Sequence, residues 1–359
     1  MAASFDDMFP KEVGVYSGNG LKSPVGNGIH KSKDLSKTHS AASSSARDRA
    51  DPNKSSLEYE NGLRFLARSI NEQGIFPKTF MPLESGGSLG YDMDDHATTI
   101  WCMTRINKYA RDSFVSKAIE RGRNFILSDR MKRYAYARTI SYRRVADTGA
   151  VASTILSLTS SGDYSNQILR DLGEYLLFCI DDDGSLYCHK RSLVDNAVLD
   201  NGRLDYPGRV ILALAHLARA LKDENFYNVA RQMIENLASS RDAIQAYHDF
   251  YLMEALMMFG NMYKKYVSKI SSCIFCSPDF IDSDNIDKIA RRTNALITSY
   301  RVTRDTATKR YIRYLVDIMR DYQATTGDVA GGFATREGKR ISVVSTALTG
   351  LAFSRYMRV

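Results

Sequence analysis

Three carboxylates and a histidine occupy five positions near residue 92. The segment YDMDDHATTIW, residues 91–101, places Asp92, Asp94, Asp95 and His96 directly before an apolar stretch. An aspartate caps a helix well, and acids in a first helical turn complement the helix dipole. Capping needs only one carboxylate, and carboxylates this close together cannot all ionise, so one can be held as a proton donor. The segment therefore predicts a helix cap combined with an acid–base site.

Similar polar clusters precede other apolar stretches rich in small residues. Carboxylates and histidines transfer protons, arginines bind anionic groups, and tyrosines orient a substrate. As further catalytic residues we predict His248 and Asp249, in the segment AYHDFYLM. The predicted substrate-binding residues are Arg144, Asp147, Tyr206, Arg209, Tyr247, Arg304, Asp305 and Arg340.

The elements that must position these groups are helices. From about residue 57 the apolar residues recur at helical spacing, and strand signals are few. The pattern predicts eleven helices, the first beginning near 57 and the others spanning 92–109, 114–128, 144–159, 165–180, 206–221, 224–239, 246–267, 284–300, 304–323 and 341–357.

Recurring glycine turns indicate a repeat of helical hairpins. The turns surround Gly74, Gly184 and Gly332, and the outer two of these glycines are 258 positions apart. Five units across that distance would each span about 52 residues, a period typical of helical hairpin arrays. Six hairpins need twelve helices, so the eleven predicted helices imply a compressed hairpin or an incomplete ring. In such a ring the inner helices run in one direction, so the polar clusters at their starts would meet at one mouth.

Several segments resemble hairpins of the α/α-toroid proteins. They are LGEYLLFCIDDDGSLY, LDYPGRVILALAHLARALKDENFYNVARQMIENL and GGFATREGKRISVVSTALTGLAF. That superfamily includes six-hairpin glycosidases, sugar epimerases, and the terpene-cyclase and prenyltransferase toroids. The resemblance implies an all-α domain, an α/α toroid of about six hairpins, over residues 56–359.

The segment DMDDHA also resembles the DxDD motif of class II terpene cyclases. By that resemblance Asp94 would protonate an alkene or epoxide, assisted by Asp92 and Asp95. Two features depart from the pattern. His96 stands where those cyclases usually have threonine, and a single toroid lacks the second helical domain that closes their cavity.

Three functions follow as expectations. The first is a carbohydrate-active enzyme of the glycoside hydrolase, lyase or epimerase type, acting on an anionic saccharide or glycoconjugate, with Asp94 or Asp95 paired with Asp249. The second is a class II terpene-cyclase-like enzyme that uses the DMDD acid on a prenyl substrate. The third is a non-catalytic toroid that serves as a scaffold or binding protein.

Residues 1–55 differ in composition from the rest of the chain. They are rich in Ser, Gly and Lys and nearly free of large apolar side chains, which predicts a disordered tail. The tail could act as a linker, a segment that binds a protein partner, or a leader, and the sequence does not separate these roles.

The overall composition narrows the partners and the setting. The net charge is +8, yet there is no run of five Lys or Arg, which argues against a nucleic-acid arm. No stretch reaches the ~18 apolar residues of a membrane span, so we expect a cytoplasmic protein without one. Five cysteines do not suggest a disulfide framework.

We predict no cofactor and no metal. Cys273 and Cys276 form a CxxC pair without a clear second ligand pair, so metal binding there stays an open question. His216, on an apolar helical face, is expected to be a hydrogen-bonded core histidine, and the role of His189 is left open.

Overall fold

The computed structural model describes residues 52–81, 88–162, 164–200, 206–239, 250–276, 285–334 and 340–359. Within these ranges, the side chains of residues 52–56, 88, 89, 200, 261, 262 and 273–276 are outside the description. The predicted tail therefore lies outside the described residues except for its last few positions, where the first helix begins. Tyr247, His248 and Asp249 lie outside them as well, as do the side chains of Cys273 and Cys276.

Twelve α-helices lie within the described ranges. Their bounds are α1 Pro52–Ser69, α2 Met93–Ala110, α3 Ser113–Phe125, α4 Thr148–Ser161, α5 Asn166–Phe178, α6 Tyr206–Leu221, α7 Glu224–Ser239, α8 Phe250–Met258, α9 Lys264–Cys276, α10 Ile286–Thr303, α11 Thr306–Arg320 and α12 Val343–Tyr356. A π-helical turn, Ile126–Arg130, extends α3, and a 3₁₀ turn, Gly260–Tyr263, joins α8 to α9. None of the described helices is long and apolar enough to cross a membrane.

The even-numbered helices form a closed inner ring. Each of α2, α4, α6, α8, α10 and α12 packs against the next, and α12 packs back against α2. The odd-numbered helices pack around the outside of this ring. The chain is therefore an α/α toroid of six complete hairpins, which confirms the predicted fold and leaves no hairpin missing.

The two layers differ in sequence because they differ in burial. Inner helices contact neighbours on all sides: α4 is buried without interruption from Thr148 to Leu158, and α12 from Val343 to Arg355. Small residues in these helices let the ring close tightly. The outer helix α11 buries a single face, at helical spacing, through Thr308, Ile312, Leu315, Val316 and Met319.

The prediction has one helix too few because of the segment 246–267. That segment was predicted as one helix, but α8 ends at Met258 and α9 begins at Lys264, with Gly260 at φ 76° between them. Merging the two helices exchanged the inner and outer assignments of the next two helices, 284–300 and 304–323, while 341–357 was still assigned to the inner layer. The predicted helix 304–323 thus corresponds to an outer helix, α11, and the fifth inner helix is α10.

The glycine turns follow outer helices, as the repeat requires. Gly74 follows α1 and Gly184 follows α5, with φ of 82° and 83°, a region that favours glycine. In the third turn Gly331, at φ 95°, takes this conformation rather than Gly332. Because this turn follows α11 in the sixth hairpin, five units do separate the first and last turns.

Eight short strands in the described ranges form two antiparallel sheets, which the sequence analysis did not predict. The strands are β1 Thr79–Phe80, β2 Ser88–Leu89, β3 Met131–Tyr134, β4 Ala137–Tyr142, β5 Val145–Asp147, β6 Lys190–Ser192, β7 Val198–Asp200 and β8 Ile341–Ser342. The sheet orders are β2-β1-β8 and β3-β4-β5-β6-β7. Because β5 leads directly into α4 and β8 into α12, the sheets border the mouth where the inner helices begin.

Candidate functional site

The starts of three inner helices meet at the hydroxyl group of Tyr206. This oxygen lies 3.1 Å from Asp147 Oδ1 and 3.4 Å from Asp94 Oδ2. Tyr206 is the first residue of α6, Asp147 caps α4, and Asp94 lies in the first turn of α2. Asp94 is 4% exposed, Asp147 7% and Tyr206 0%. Residues far apart in sequence thus form one buried cluster, as the common direction of the inner helices predicts.

Asp94 forms a buried ion pair with Arg209, one turn into α6. The guanidinium group contacts Asp94 Oδ1 and also donates from Nη1 to Thr98 Oγ1 and Ser153 Oγ, each at 3.3 Å. The guanidinium carbon lies 4.7 Å from the centroid of the Tyr251 ring. The charge of Arg209 is therefore matched by Asp94, which alters its predicted role as a residue that binds an anionic substrate.

Asp147 has a different environment from Asp94. Its Oδ1 accepts a hydrogen bond from the backbone N–H of Ala150 at 3.1 Å, and Lys190 Nζ lies 3.7 Å from its Oδ2. Burial, followed by the neighbouring charge of Asp94, raises the pKa of Asp147 to about 6. Asp147 thus holds a proton in mildly acidic solution, while the adjacent carboxylate of Asp94 is ion-paired.

Gly149 explains how Tyr206 approaches Asp147 so closely. A Cβ atom at residue 149 would lie 2.6 Å from Cζ and 3.0 Å from the hydroxyl oxygen of Tyr206. Such contacts are far inside van der Waals distance, so a side chain at this position would displace the ring. The glycine in the sequence ADTGA is therefore required by the packing of α4 against α6.

Asp92 and Asp95 lie in different environments. Asp92 is the N-cap of α2: it accepts from the backbone N–H of Asp95 at 3.1 Å, and Lys78 Nζ lies 3.4 Å away. The prediction of a cap within the cluster is confirmed at this residue. The carboxyl group of Asp95 makes no hydrogen bond within the described part of the chain, and burial, then Asp92 and Asp94, raises its pKa to about 7.

His96 does not join the carboxylates. Its Nδ1 accepts from the backbone N–H of Phe76 at 3.4 Å, and its Nε2 lies 3.3 Å from the carbonyl oxygen of Gly122, to which it donates. Burial lowers the pKa of His96 to about 4. Residues two apart on a helix point in different directions, so His96 faces the outer layer while Asp94 faces the ring interior. We therefore remove His96 from the catalytic set.

The predicted arginines at the mouth are spread over two ends of the molecule. Arg144 is exposed in the turn between β4 and β5, at φ 62°, and Arg340 is exposed directly before β8. Arg304 is the C-cap of α10, and Asp305 is the N-cap of the outer helix α11. The prediction that Arg304 and Asp305 lie at the start of an inner helix is wrong, because the merged helix shifted the alternation.

The cluster includes two further residues: His189, whose role was left open, and Lys190, which was not predicted. His189 is buried with its ring centroid 5.3 Å from that of Tyr206, and Lys190 pairs with Asp147 across the β5–β6 ladder. The histidine and lysine following the Gly184 turn were the available signal. His216 lies at the other end of the ring, where its Nδ1 is 3.1 Å from Thr159 Oγ1, in agreement with the predicted hydrogen-bonded histidine.

The arrangement places a carboxyl group with a raised pKa, Asp147, beside an ion-paired one, Asp94. Two neighbouring carboxyl groups in different environments are typical of acid–base sites. Tyr206 connects Asp94 and Asp147 through one hydroxyl group, so it fixes their separation. The cluster can therefore transfer a proton to one atom of a ligand while stabilising positive charge or accepting a proton at another.

Comparison with known proteins identifies the fold class of this chain. A cellobiose 2-epimerase from Spirochaeta thermophila aligns at TM-score 0.65 and 11% identity, over 86% of this chain and 96% of that chain. An unsaturated glucuronyl hydrolase specific for heparin aligns at TM-score 0.61 and 11% identity, over 86% and 98%. A type II terpene cyclase from Scytonema aligns at TM-score 0.59 and 13% identity, over 86% and 98%.

These similarities establish the architecture and no more, since the sequence identities are very low. The chain has the α/α-toroid fold and covers nearly the full length of each of these proteins. No protein-family model matches the chain, and neither does any curated protein.

Proposed function

We propose that this chain is an acid–base enzyme acting on a saccharide. The observation that carries the proposal is the buried cluster in which Tyr206 joins Asp94 and Asp147. Hydrolases, lyases and epimerases of sugars all need one group that donates a proton and another that accepts one or stabilises charge. The toroids of similar structure that act on sugars support this choice of substrate.

In this proposal Asp147 is the general acid and Asp94 the charged partner. Asp147 is protonated below about pH 6, so it can give its proton to a departing oxygen or to a carbon of an unsaturated sugar. Asp94 is held as a carboxylate by Arg209 and can stabilise a cationic transition state or orient water. Tyr206 passes its hydrogen bond from one carboxylate to the other as their charges change. This pair replaces the predicted pairing of Asp94 or Asp95 with Asp249.

We further propose that the saccharide carries an acidic group bound at the rim. Of the arginines predicted to bind the substrate, Arg209 is engaged by Asp94 and Arg304 lies at the other end of the ring, so the exposed Arg144 and Arg340 are the two that border this mouth. Both lie on segments that lead into inner helices, where a ligand approaching Asp147 would pass. Arginine binds carboxylates and sulfates through two parallel hydrogen bonds, which favours a uronate or sulfated sugar.

The decisive experiment compares substitutions at two aspartates that each cap a helix. Wild-type protein is incubated with unsaturated uronic-acid oligosaccharides and with neutral disaccharides, and products are followed by NMR. Asp147→Asn should keep the helix cap, because asparagine caps as well as aspartate, but lose activity by at least about 100-fold. The matched control is Asp112→Asn, which changes the N-cap of the outer helix α3. Full activity in Asp147→Asn, or equal losses in both variants, would refute the assignment.

A class II terpene-cyclase-like function is the second candidate. It is favoured by the DMDD segment at the start of an inner helix, by the raised pKa of Asp95, and by the fold likeness to a type II terpene cyclase. The ion pair between Asp94 and Arg209 argues against it, because the motif would require Asp94 itself to donate the proton. Turnover of a prenyl substrate such as geranylgeranyl diphosphate, with none of the saccharides, would select this function. Turnover of neither class would favour the non-catalytic scaffold.

A further inference from the structure

A second cavity opens at the opposite end of the ring, where the inner helices finish. Its volume is about 620 Å³, within the range of small-molecule sites, and all six inner helices contribute to its wall. Trp101 lines the cavity, is 1% exposed and stacks on Tyr251, whose ring also contacts Phe250 and the guanidinium group of Arg209. This aromatic layer separates the cavity from the Asp94–Asp147 cluster, so the two ends of the ring hold distinct sites.

The wall of this cavity is strongly cationic. Six basic side chains line it, and one carboxylate, that of Glu254, accompanies them. Glu254 is already engaged twice: Arg105 Nη1 donates to its Oε2 at 2.5 Å, and Arg355 Nη1 lies 3.0 Å from its Oε1. The other four cations make no ion pair or hydrogen bond through their side chains within the described ranges; they are Lys108, Arg219, Arg301 and Arg358.

The arginines are close enough to disfavour one another's charge. Burial, reinforced by Arg105, Arg301 and Arg358, lowers the pKa of Arg355 to about 9 despite the presence of Glu254. Burial also lowers the pKa of Arg301 and of Arg358, again with help from neighbouring arginines. Arg355 is 3% exposed, and its Nε–H has no hydrogen-bond partner among the residues that the structure describes. A cluster of this kind gains free energy when an anion enters it, because the anion relieves both the repulsion and the missing contact.

We propose that this cavity binds a small molecule bearing multiply charged phosphate groups. Arginine guanidinium groups match phosphate oxygens in pairs, and several cations with a single carboxylate suit an anion of more than one charge. Arg301 supplies donors toward the interior and Arg355 adds its Nε–H there, since its other donors already contact Glu254, Asn294 and Thr298. Lys108, Arg219 and Arg358 surround the exposed opening. Leu212, Met257 and Leu351 also line the cavity and add apolar surface for the organic part of such a ligand.

The alternative explanation is that the cations only offset the helix dipoles. Six helix C-termini converge here, and cationic side chains near C-termini are stabilising without any ligand. The two explanations differ in a measurable way, since only a binding site takes up pyrophosphate saturably and with a defined stoichiometry.

The test is calorimetric titration of the full chain with inorganic pyrophosphate, at constant ionic strength set with NaCl. We expect saturable binding near one equivalent. Arg219→Gln/Arg358→Gln changes only exposed side chains and should weaken it at least about tenfold, and Arg301→Gln should weaken it similarly. The matched control is Arg133→Gln, an exposed arginine on β3, which should leave binding unchanged.

The outcomes separate this site from the proposed catalytic one. Asp147→Asn should bind pyrophosphate as wild type does, whatever its effect on saccharide turnover. Circular dichroism of each variant checks that the fold is retained. Absence of saturable binding to wild type, or binding that the Arg219/Arg358 and Arg301 variants leave unchanged, would overturn the proposal and leave the cations as helix-end partners.

Discussion

Removing one member of the ion pair between Asp94 and Arg209 should destabilise the protein strongly. Replacing both members with neutral side chains should restore much of the lost stability. Arg209 is 0% exposed and Asp94 4%. Asp94→Asn leaves a buried guanidinium group without its carboxylate, and Arg209→Met leaves the carboxylate without its cation. Removing one member of a buried pair typically costs about 3–5 kcal/mol, whereas replacing both members with neutral groups costs much less. We therefore expect Asp94→Asn/Arg209→Met to be more stable than either single variant by at least about 2 kcal/mol.

The measurement is a double-mutant cycle by urea denaturation, monitored by circular dichroism, with the four proteins compared at their transition midpoints. A matched cycle uses Arg170→Met and Asp223→Asn, an ion pair of 2.7 Å between partly exposed outer residues. That cycle should show a coupling of at most about 1 kcal/mol. If Asp94→Asn costs under about 1 kcal/mol by itself, Asp94 is acting as a solvated first-turn acid and the buried pairing is wrong. Asparagine caps helices about as well as aspartate, but the N-cap of α2 is Asp92, so this equivalence does not protect the stability of Asp94→Asn.

Three further predictions concern the same mouth of the ring. The pKa of Asp95 is raised from 3.8 to about 7 in the folded protein, so the folded state binds an extra proton between these values. This carboxyl group should lower the free energy of unfolding by up to roughly 4 kcal/mol as pH rises from 4 to 7, alongside a smaller fall from Asp147, whose pKa is also raised. Asp95→Asn should remove its own share of the fall and be more stable than wild type at pH 8, and urea denaturation of both proteins at pH 4 and pH 8 tests this. Gly149→Ala should displace Tyr206, lower the free energy of unfolding by about 1–3 kcal/mol and abolish most activity. The control Gly350→Ala should lower it less, because its added Cβ would meet only the flexible end of Ile106 at 3.3 Å. Equal melting temperatures for the two variants would contradict the packing argument. With Asp147 as general acid, saccharide turnover should decline above about pH 6 as the acid form is lost, and a pH–rate profile that is flat from pH 5 to 8 would exclude that role.

The sequence was sufficient for the layer pattern of this fold. Small-residue helices alternating with amphipathic ones, together with glycine turns, predicted hairpins in a ring because both signals are local. The boundary between α8 and α9 was missed because a single glycine within an apolar helical pattern is often tolerated. Only the closure of the ring requires the chain to break at Gly260, and closure depends on contacts far along the sequence.

The candidate site shows the same contrast between local signals, which can be predicted from the sequence, and long-range contacts, which cannot. That Asp94, Tyr206 and Arg209 lie at one mouth follows from the common direction of the inner helices, which the pattern supplied. That Asp94 pairs with Arg209 does not follow, since the two are 115 residues apart and the pairing depends on how α2 and α6 are rotated. The same rotation places His96 in the outer layer. Neighbouring residues of the segment DMDDHA therefore lie in three different environments, which the sequence alone does not distinguish.

The closure of the ring has a consequence for how the protein folds. The first helix contacts the last hairpin directly: Arg320 donates to Glu58 at 3.0 Å across 262 positions, and Arg68 donates to the carbonyl oxygen of Ala330. An open helical array can fold from any unit outward and tolerate the loss of a terminal repeat. Here α1 and α2 have no complete partner surface until α12 has been synthesised, so the ring must close late and through contacts of very long sequence separation, which makes folding slow. On the ribosome, the earliest helices to emerge are thus among the last to reach their final packing.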